Sequence, residues 1–222
     1  PRSTVAGQCG GKQDLQARHG RLADCLAAGP GLTYTARVGD RWENPMVAFK
    51  DLWYRHPANN STTYPCIAPY GLTNMEGSSI LQGNPVFGNQ CAIRMGVCLK
   101  NAGVTSLRLQ TCGVHSAEEM HVIRAADLAR GLAGASLEGV GKVQRISGTD
   151  AAQFYKQIYG RTGIIYVQDY WKRRGETTAT GDHIDVWNGY RSSTKWLMEW
   201  FSWLGYYSNY SQAKEVWFWD VK

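Results

Sequence analysis

Apolar and polar positions along the chain follow two different periods, and the switches between them predict the order of elements. Residues 1–41 hold no long periodic run. Cys9-Gly10-Gly11 and Ala28-Gly29-Pro30-Gly31 punctuate them, with one short helix between Leu15 and Leu26. From Phe49 the spacing turns helical, with Phe49, Leu52 and Trp53 on one side. Residues 56–90 are broken by repeated Pro and Gly and read as a long loop. A second helical run opens at Cys91 and continues through Ile93, Met95, Val97, Cys98 and Leu99. Asn89 is its candidate N-cap and Gly103 its candidate C′ residue. Residues 107–110 alternate like a short strand. Residues 116–133 give the clearest further helix, with Ser116 and Glu119 as a capping box and Met120, Ile123, Leu128 and Leu132 on its apolar side.

Later the period shortens. A strand is expected at 143–146 and a helix at 149–159, with Phe154 and Ile158 facing inward. Strands follow at 163–167, 183–187 and 215–221, with an aromatic-rich helix at 194–204. In the strand at 183–187, His183, Asp185 and Trp187 share one face, and Ile184 and Val186 share the other. Asn188-Gly189 ends it as a turn. Helices early and an antiparallel sheet late define an α+β fold. The boundary is drawn at 41: an extension over 1–41, with Cys9 and Cys25 as candidates for a disulfide clip, precedes a domain over 42–222.

Composition narrows the function. The net charge of +6 and pI near 9.0 suit an anionic partner such as nucleic acid, a membrane surface or a bacterial cell wall, and select none of them. The basic residues are scattered and form no known nucleic-acid motif, so nucleic-acid binding is not expected. No apolar run is long enough to span a bilayer, so no membrane insertion is expected either. No leader pattern is visible, and a first residue of Pro rather than Met suggests processing or trimming. The six cysteines include no C-x-x-C pair; a structural zinc site is therefore not expected, nor any other metal or cofactor. With Cys91 a working thiol, five cysteines remain and at most two disulfides form. These cysteines and the glycosylation-like triplets at Asn59, Asn60 and Asn209, a motif common by chance, together hint at an oxidising, extracytoplasmic setting. The nine tryptophans suit sugar stacking, but Trp196, Trp200 and Trp203 are spaced as one helix face and read as core.

The candidate chemistry begins at Cys91. A cysteine in the first turn of a helix feels the positive end of the helix dipole, which favours the nucleophilic thiolate. The same residue also fits a simple core position, since cysteine is among the most buried residue types. A nucleophile needs a base. His183 is the one histidine on a predicted strand with polar neighbours on its face; His19, His56, His115 and His121 lie in the extension, in loops or in a helix. In the mechanism this pair suggests, Cys91 attacks an amide carbonyl, His183 moves the proton, and N–H groups at the helix start hold the oxyanion. Asp185 is the carboxylate on the His183 face, though i and i+2 side chains on a strand run parallel. Asn188 offers an orienting amide instead, and Asp182 faces the other way. Arg94 shares the cysteine's side of the helix and suits a substrate carboxylate or a structural ion pair.

A cysteine opening a helix, followed by a histidine on a later sheet, is the order found in papain-like folds. Three blocks make the match more specific: Asn89-Gln90-Cys91-Ala92-Ile93-Arg94-Met95, then Gly181-Asp182-His183-Ile184-Asp185-Val186-Trp187-Asn188-Gly189, then Ala213-Lys214-Glu215-Val216-Trp217-Phe218-Trp219. In these blocks residues 42–222 resemble the fourth family of type VI secretion amidase effectors, within the NlpC/P60-like, papain-like cysteine peptidases. The resemblance implies a secreted antibacterial toxin. It would hydrolyse the γ-D-glutamyl to meso-diaminopimelate bond of peptidoglycan stems in the periplasm or cell wall of target bacteria, as a monomer countered by a cognate immunity protein. Cys91 falls on the family nucleophile and His183 on its base; Arg94, Asn188 and Trp187 are candidate substrate-binding residues. The family carries its aspartate where this chain has Thr194, so Asp185 is the candidate third residue. That departure keeps two other readings open: a catalytically weakened wall- or glycan-binding protein, and a cysteine peptidase acting on another amide.

Overall fold

The computed structural model describes residues 46–193 and 210–222, apart from Ser61, Thr63, Met75, Glu76, Ser106, Arg173 and Arg174. The extension at 1–41, its cysteines and the helix expected at 194–204 with its tryptophans lie outside the described residues.

The expected α+β order is present: helices lead and an antiparallel sheet follows. Helix α1 spans Phe49–Arg55 and buries Leu52, while Phe49 and Trp53 pack against the same core. Helix α2 spans Cys91–Asn101. Its buried residues Ala92, Ile93, Met95, Gly96, Cys98 and Leu99 cover more than half of its circumference, leaving Arg94, Val97, Lys100 and Asn101 on the less buried side. Gly103, at φ +90°, follows its end, where a residue with a Cβ would be strained. Helix α3 spans Ala125–Gly134 and buries Leu128, Ala129 and Leu132.

Among the described residues, β1 (Gln144–Ser147), β2 (Gly163–Trp171), β3 (Gly181–Trp187) and β4 (Glu215–Asp220) form one antiparallel sheet in the order β1-β4-β2-β3. The sheet is buried on both faces. Ile164, Tyr166, Ile184, Val186, Trp217 and Trp219 join the core formed with α2 and α3. Ile165, Val167, Trp187, Val216 and Phe218 face a second cluster closed by Phe154, Ile158 and Tyr210. Strand β3 is an edge. The chain after it turns back, Ser192 bridging Trp187 and the Ser193 N–H donating to the Val186 carbonyl at 3.2 Å.

Three local expectations differ from the structure. The helix at 116–133 is split: a 3-10 turn covers Ala117–Glu119, and α3 begins only at Ala125. Between them Met120 takes a left-handed conformation, φ 52°, and the Ser116 side chain makes no capping bond. Tertiary pairing wins over helix propensity here. Thr111 bridges Val122, and the Cys112 N–H donates to the His121 carbonyl at 2.9 Å. The strand at 107–110 is correspondingly reduced to that bridge. The helix at 149–159 is a 3-10 turn, Gly148–Gln153, followed by a single turn α4, Tyr155–Ile158; Phe154 and Ile158 are buried as expected.

Helix α2 is held very close to the Met120 bend. A Cβ on Gly96 would lie 2.0 Å from the Met120 carbonyl oxygen, so only glycine fits. Gly96→Ala must push helix and bend apart, at a cost on the order of 1–3 kcal/mol. Urea unfolding should show a lower midpoint with an unchanged slope. An unchanged midpoint would mean that this approach is looser than described.

Candidate active site

The site is built where the start of α2 meets β3, the edge strand among the described residues. Gln90 holds the N-cap position but its side chain does not cap. Instead its amide clamps the backbone of Cys66, accepting the Cys66 N–H at 3.0 Å and donating to the Cys66 carbonyl at 2.8 Å. Asn89, the expected cap, accepts the Cys91 N–H at 3.4 Å, one position earlier than assigned from sequence. Cys91 is thereby fixed in the first helical turn, with its Sγ 4.0 Å from the Asp182 carbonyl oxygen on β3.

His183 and Asp185 stand on β3 opposite Val167 and Ile165 of β2. The His183 ring is stacked on Tyr210, centroids 5.8 Å apart, and meets the Tyr170 ring edge-on at 6.4 Å. These contacts limit its rotation. Its Nε2 lies 3.3 Å from Asp185 Oδ2, so the i and i+2 side chains do meet, despite their parallel departure from the strand. That leaves Nδ1 to face the Cys91 thiol, with which the imidazole is electrostatically coupled.

Asp185 is fully buried and is held from several directions. The Val186 N–H donates to its Oδ1 at 2.8 Å, the Ser193 hydroxyl donates to the same oxygen, and His56 Nε2 lies 3.4 Å from it. His56 Nδ1 accepts the Ala58 N–H at 3.3 Å and lies 3.0 Å from Ser193 Oγ. Accepting at Nδ1 leaves the ring proton on Nε2, facing the carboxylate. Sequence reasoning set His56 aside as a loop residue and did not consider Ser193. The one signal available was Pro57, which holds His56 extended at the start of a 3-10 turn.

Burial and partners set the charges. Burial alone would raise Cys91, but the hydrogen bond and positive charge of His183, with N–H groups of Ile184 and Ala92, lower it below the usual thiol value. Burial alone would lower His183; hydrogen bonds to Asp185 and Cys91, and their negative charges, raise it to about 9. Asp185 is held well below the usual carboxylate range, burial being outweighed by His56, His183 and Ser193. His56 is lowered by its burial, further opposed by Arg94 and His183, although Asp185 pulls the other way. The result is a thiolate facing an imidazolium, with a neutral imidazole behind the carboxylate. Cys98 is the contrast: it donates to the Leu52 carbonyl at 3.1 Å, and burial pushes it far above the ordinary thiol value.

The remaining candidates separate. Arg94 lies one turn beyond Cys91 with its guanidinium over the Tyr64 ring, 5.3 Å from the centroid. Asn188 is five residues beyond His183, about 16 Å along an extended chain. Its Oδ1 accepts the N–H groups of Tyr190 and Arg191 at 3.1 and 3.0 Å, so its side chain serves the turn. Trp187 is buried against Phe154 in the second cluster, a core position rather than a surface for substrate. Asp182 faces away from His183 as expected: its Oδ1 accepts the Asp169 N–H at 3.0 Å, and it is hydrogen-bonded to Tyr166.

Helices first, a cysteine at the head of a buried helix, and an antiparallel sheet bearing a histidine beside it: this layout is that of the NlpC/P60-like, papain-like class. Residues 87–219 match the family Tae4, type VI secretion system (T6SS) amidase effector protein 4, and the chain belongs to that family. No curated protein matches it. Membership makes it an antibacterial amidase effector that acts on the peptidoglycan of a target cell.

The charge pattern predicts a pH profile. His183 is raised above its ordinary 6.5, so its charge is fully present below that value and is lost as pH rises through about 9. Cys91 is lowered, so its thiolate is lost only below the usual thiol range. Iodoacetamide should therefore label Cys91 readily at neutral pH and leave Cys98 unlabelled. Activity should fall again as pH rises through about 9. A labelling rate that first rises near the ordinary thiol pKa would refute the ion pair.

Proposed function

We propose that the protein hydrolyses the γ-D-glutamyl to meso-diaminopimelate bond of peptide stems by a cysteine–histidine mechanism. The observation that carries this reading is the unbroken run of contacts from Cys91 through His183 to Asp185. The Cys91 thiolate attacks the scissile carbonyl, and the N–H groups in the first turn of α2 stabilise the oxyanion. The His183 imidazolium gives its proton to the leaving diaminopimelate amine, and a thioester remains. Neutral His183 then takes a proton from water, the hydroxide attacks the thioester, and the γ-carboxylate leaves as Cys91 is restored. Asp185 holds the ring orientation and stabilises its charge through both proton transfers.

Asp185 also weighs against the reading as a catalytically weakened binding protein. That argument draws on the basic charge, the aromatic content and the absence of an aspartate at position 194; against the last of these, the His183 face carries a carboxylate of its own. Arg94, one turn from the nucleophile, is the residue we assign to a substrate carboxylate, which stem peptides supply. We take residues 42–222 as the catalytic unit, active as a monomer in the periplasm of the target cell and countered there by an immunity protein.

Purified Gram-negative muropeptides incubated with the wild type should yield new fragments beginning at diaminopimelate by mass spectrometry, and none with Cys91→Ala or His183→Ala. Fragments from either variant, or none from the wild type, would overturn the assignment. Asp185→Asn should lower kcat by roughly 10²- to 10⁴-fold. Arg94→Gln should raise KM with kcat little changed; an equal fall in kcat and kcat/KM would instead make its contact specific to the transition state.

A further inference from the structure

Away from the Cys91 site, two thiols and two imidazoles converge. Cys66 precedes α2 in the long loop; Cys112, His115 and His121 lie on either side of the Met120 bend. One ligand atom from each lies within 4.8 Å of every other. Cys66 Sγ is 3.6 Å from Cys112 Sγ and 3.6 Å from His115 Nδ1. Cys112 Sγ is 3.3 Å from His115 Nδ1 and 3.7 Å from His121 Nδ1. Cys66, Cys112 and His121 are buried and His115 is half-buried.

We infer that Cys66, Cys112, His115 and His121 form a structural zinc site. The edges of the cluster have the right size. With Zn–S of about 2.3 Å and Zn–N of about 2.0 Å, a regular tetrahedron separates two sulfurs by about 3.8 Å and sulfur from nitrogen by about 3.5 Å. The two sulfurs are not bonded in this structure, their separation being well beyond the bond length of about 2.05 Å. Two thiolates and two neutral imidazoles cancel the charge of a divalent ion, as a buried site requires. Sulfur and nitrogen donors in a tetrahedral set select zinc over magnesium or calcium, and four protein ligands leave no open position for catalysis.

The surroundings support the donor set. His121 presents Nδ1 to the cluster while its Nε2 lies 3.6 Å from Glu119 Oε2, the carboxylate that commonly fixes a metal-binding tautomer. The left-handed turn at Met120 reverses the chain between Glu119 and His121, and the Cys112–His121 backbone bond sets the spacing of two ligands. Cys66 is clamped by the Gln90 amide, immediately before Cys91. The metal therefore ties the long loop and the Met120 bend to the head of α2. The absence of a C-x-x-C pair predicted no such site, but Cys112 and His115 have that same two-residue spacing, with histidine as the second ligand.

The test is metal analysis of the full chain purified under reducing conditions without added metal. We expect one zinc per chain in the wild type and in Cys91→Ala, and less than about a tenth of that in Cys112→Ser and His115→Ala. Stripping the wild type with a strong chelator should lower its melting temperature by on the order of 10 °C, restored by zinc. Cobalt added to the stripped wild type should give the intense visible bands of a tetrahedral sulfur-ligated ion, a readout that survives even if the variants fail to fold. Zinc lost in Cys91→Ala and kept in Cys112→Ser would overturn the assignment. So would a wild type whose mass shows Cys66 and Cys112 oxidised together, or one that binds neither zinc nor cobalt.

Discussion

The carboxylate of Asp185 is a full negative charge with almost no access to water, and the site is arranged around keeping it. An unpaired buried charge costs several kcal/mol, so the fold must surround it with donors or lose it to protonation. Here the surrounding groups come from three separate parts of the chain: the His56 ring after α1, which approaches to 3.4 Å, the donors His183 and the Val186 N–H on β3, and the Ser193 hydroxyl on the returning segment. Each of these then has its own position fixed by the charge. His183 is held in one orientation and one charge state, and that in turn settles the state of Cys91. The reactivity of the thiol is thus decided by a carboxylate with which it is not in direct contact.

The sheet makes this arrangement possible because β3 lies at its edge. Ile184 and Val186 are committed to the core beneath the helices, and the register of β2 with β3 leaves no freedom in which face His183 and Asp185 occupy. What the edge adds is room. The head of α2 and the segment ending at Ser193 both reach the strand from the side that no further strand covers, at least among the described residues.

Much of this was legible in the sequence, and the failures have physical causes. The β-branched run at Ile164 and Ile165 and the alternation from His183 to Trp187 set the strands and their faces, because period-2 patterning directly reports a half-committed surface. The helix at 116–133 was misread since a capping-box pattern is local, while the pairing of Thr111 with Val122 is not. Trp187 shares a face with His183 yet belongs to the core, since that face is buried along the whole strand. His56 and Ser193 were not legible at all. They are 137 residues apart, and a single sequence has no signal for a hydrogen bond across that distance. Asp185 was named but its contact doubted; strand geometry gives the direction of a Cβ, whereas the χ angles that bring carboxylate and ring together depend on neighbours packed from elsewhere.

The order of strands has a further consequence, for synthesis. Strand β4 comes last of the four in sequence but takes an interior place, between β1 and β2. Until it emerges from the ribosome, β1 lacks the strand it pairs with among the described residues, and β2 and β3 have only each other there. Such a chain is dominated by distant pairings and closes slowly. The sheet that carries His183 and Asp185 is therefore completed only when the last of its four described strands has been made. The lateness of one strand acts as a delay on the toxin that carries it.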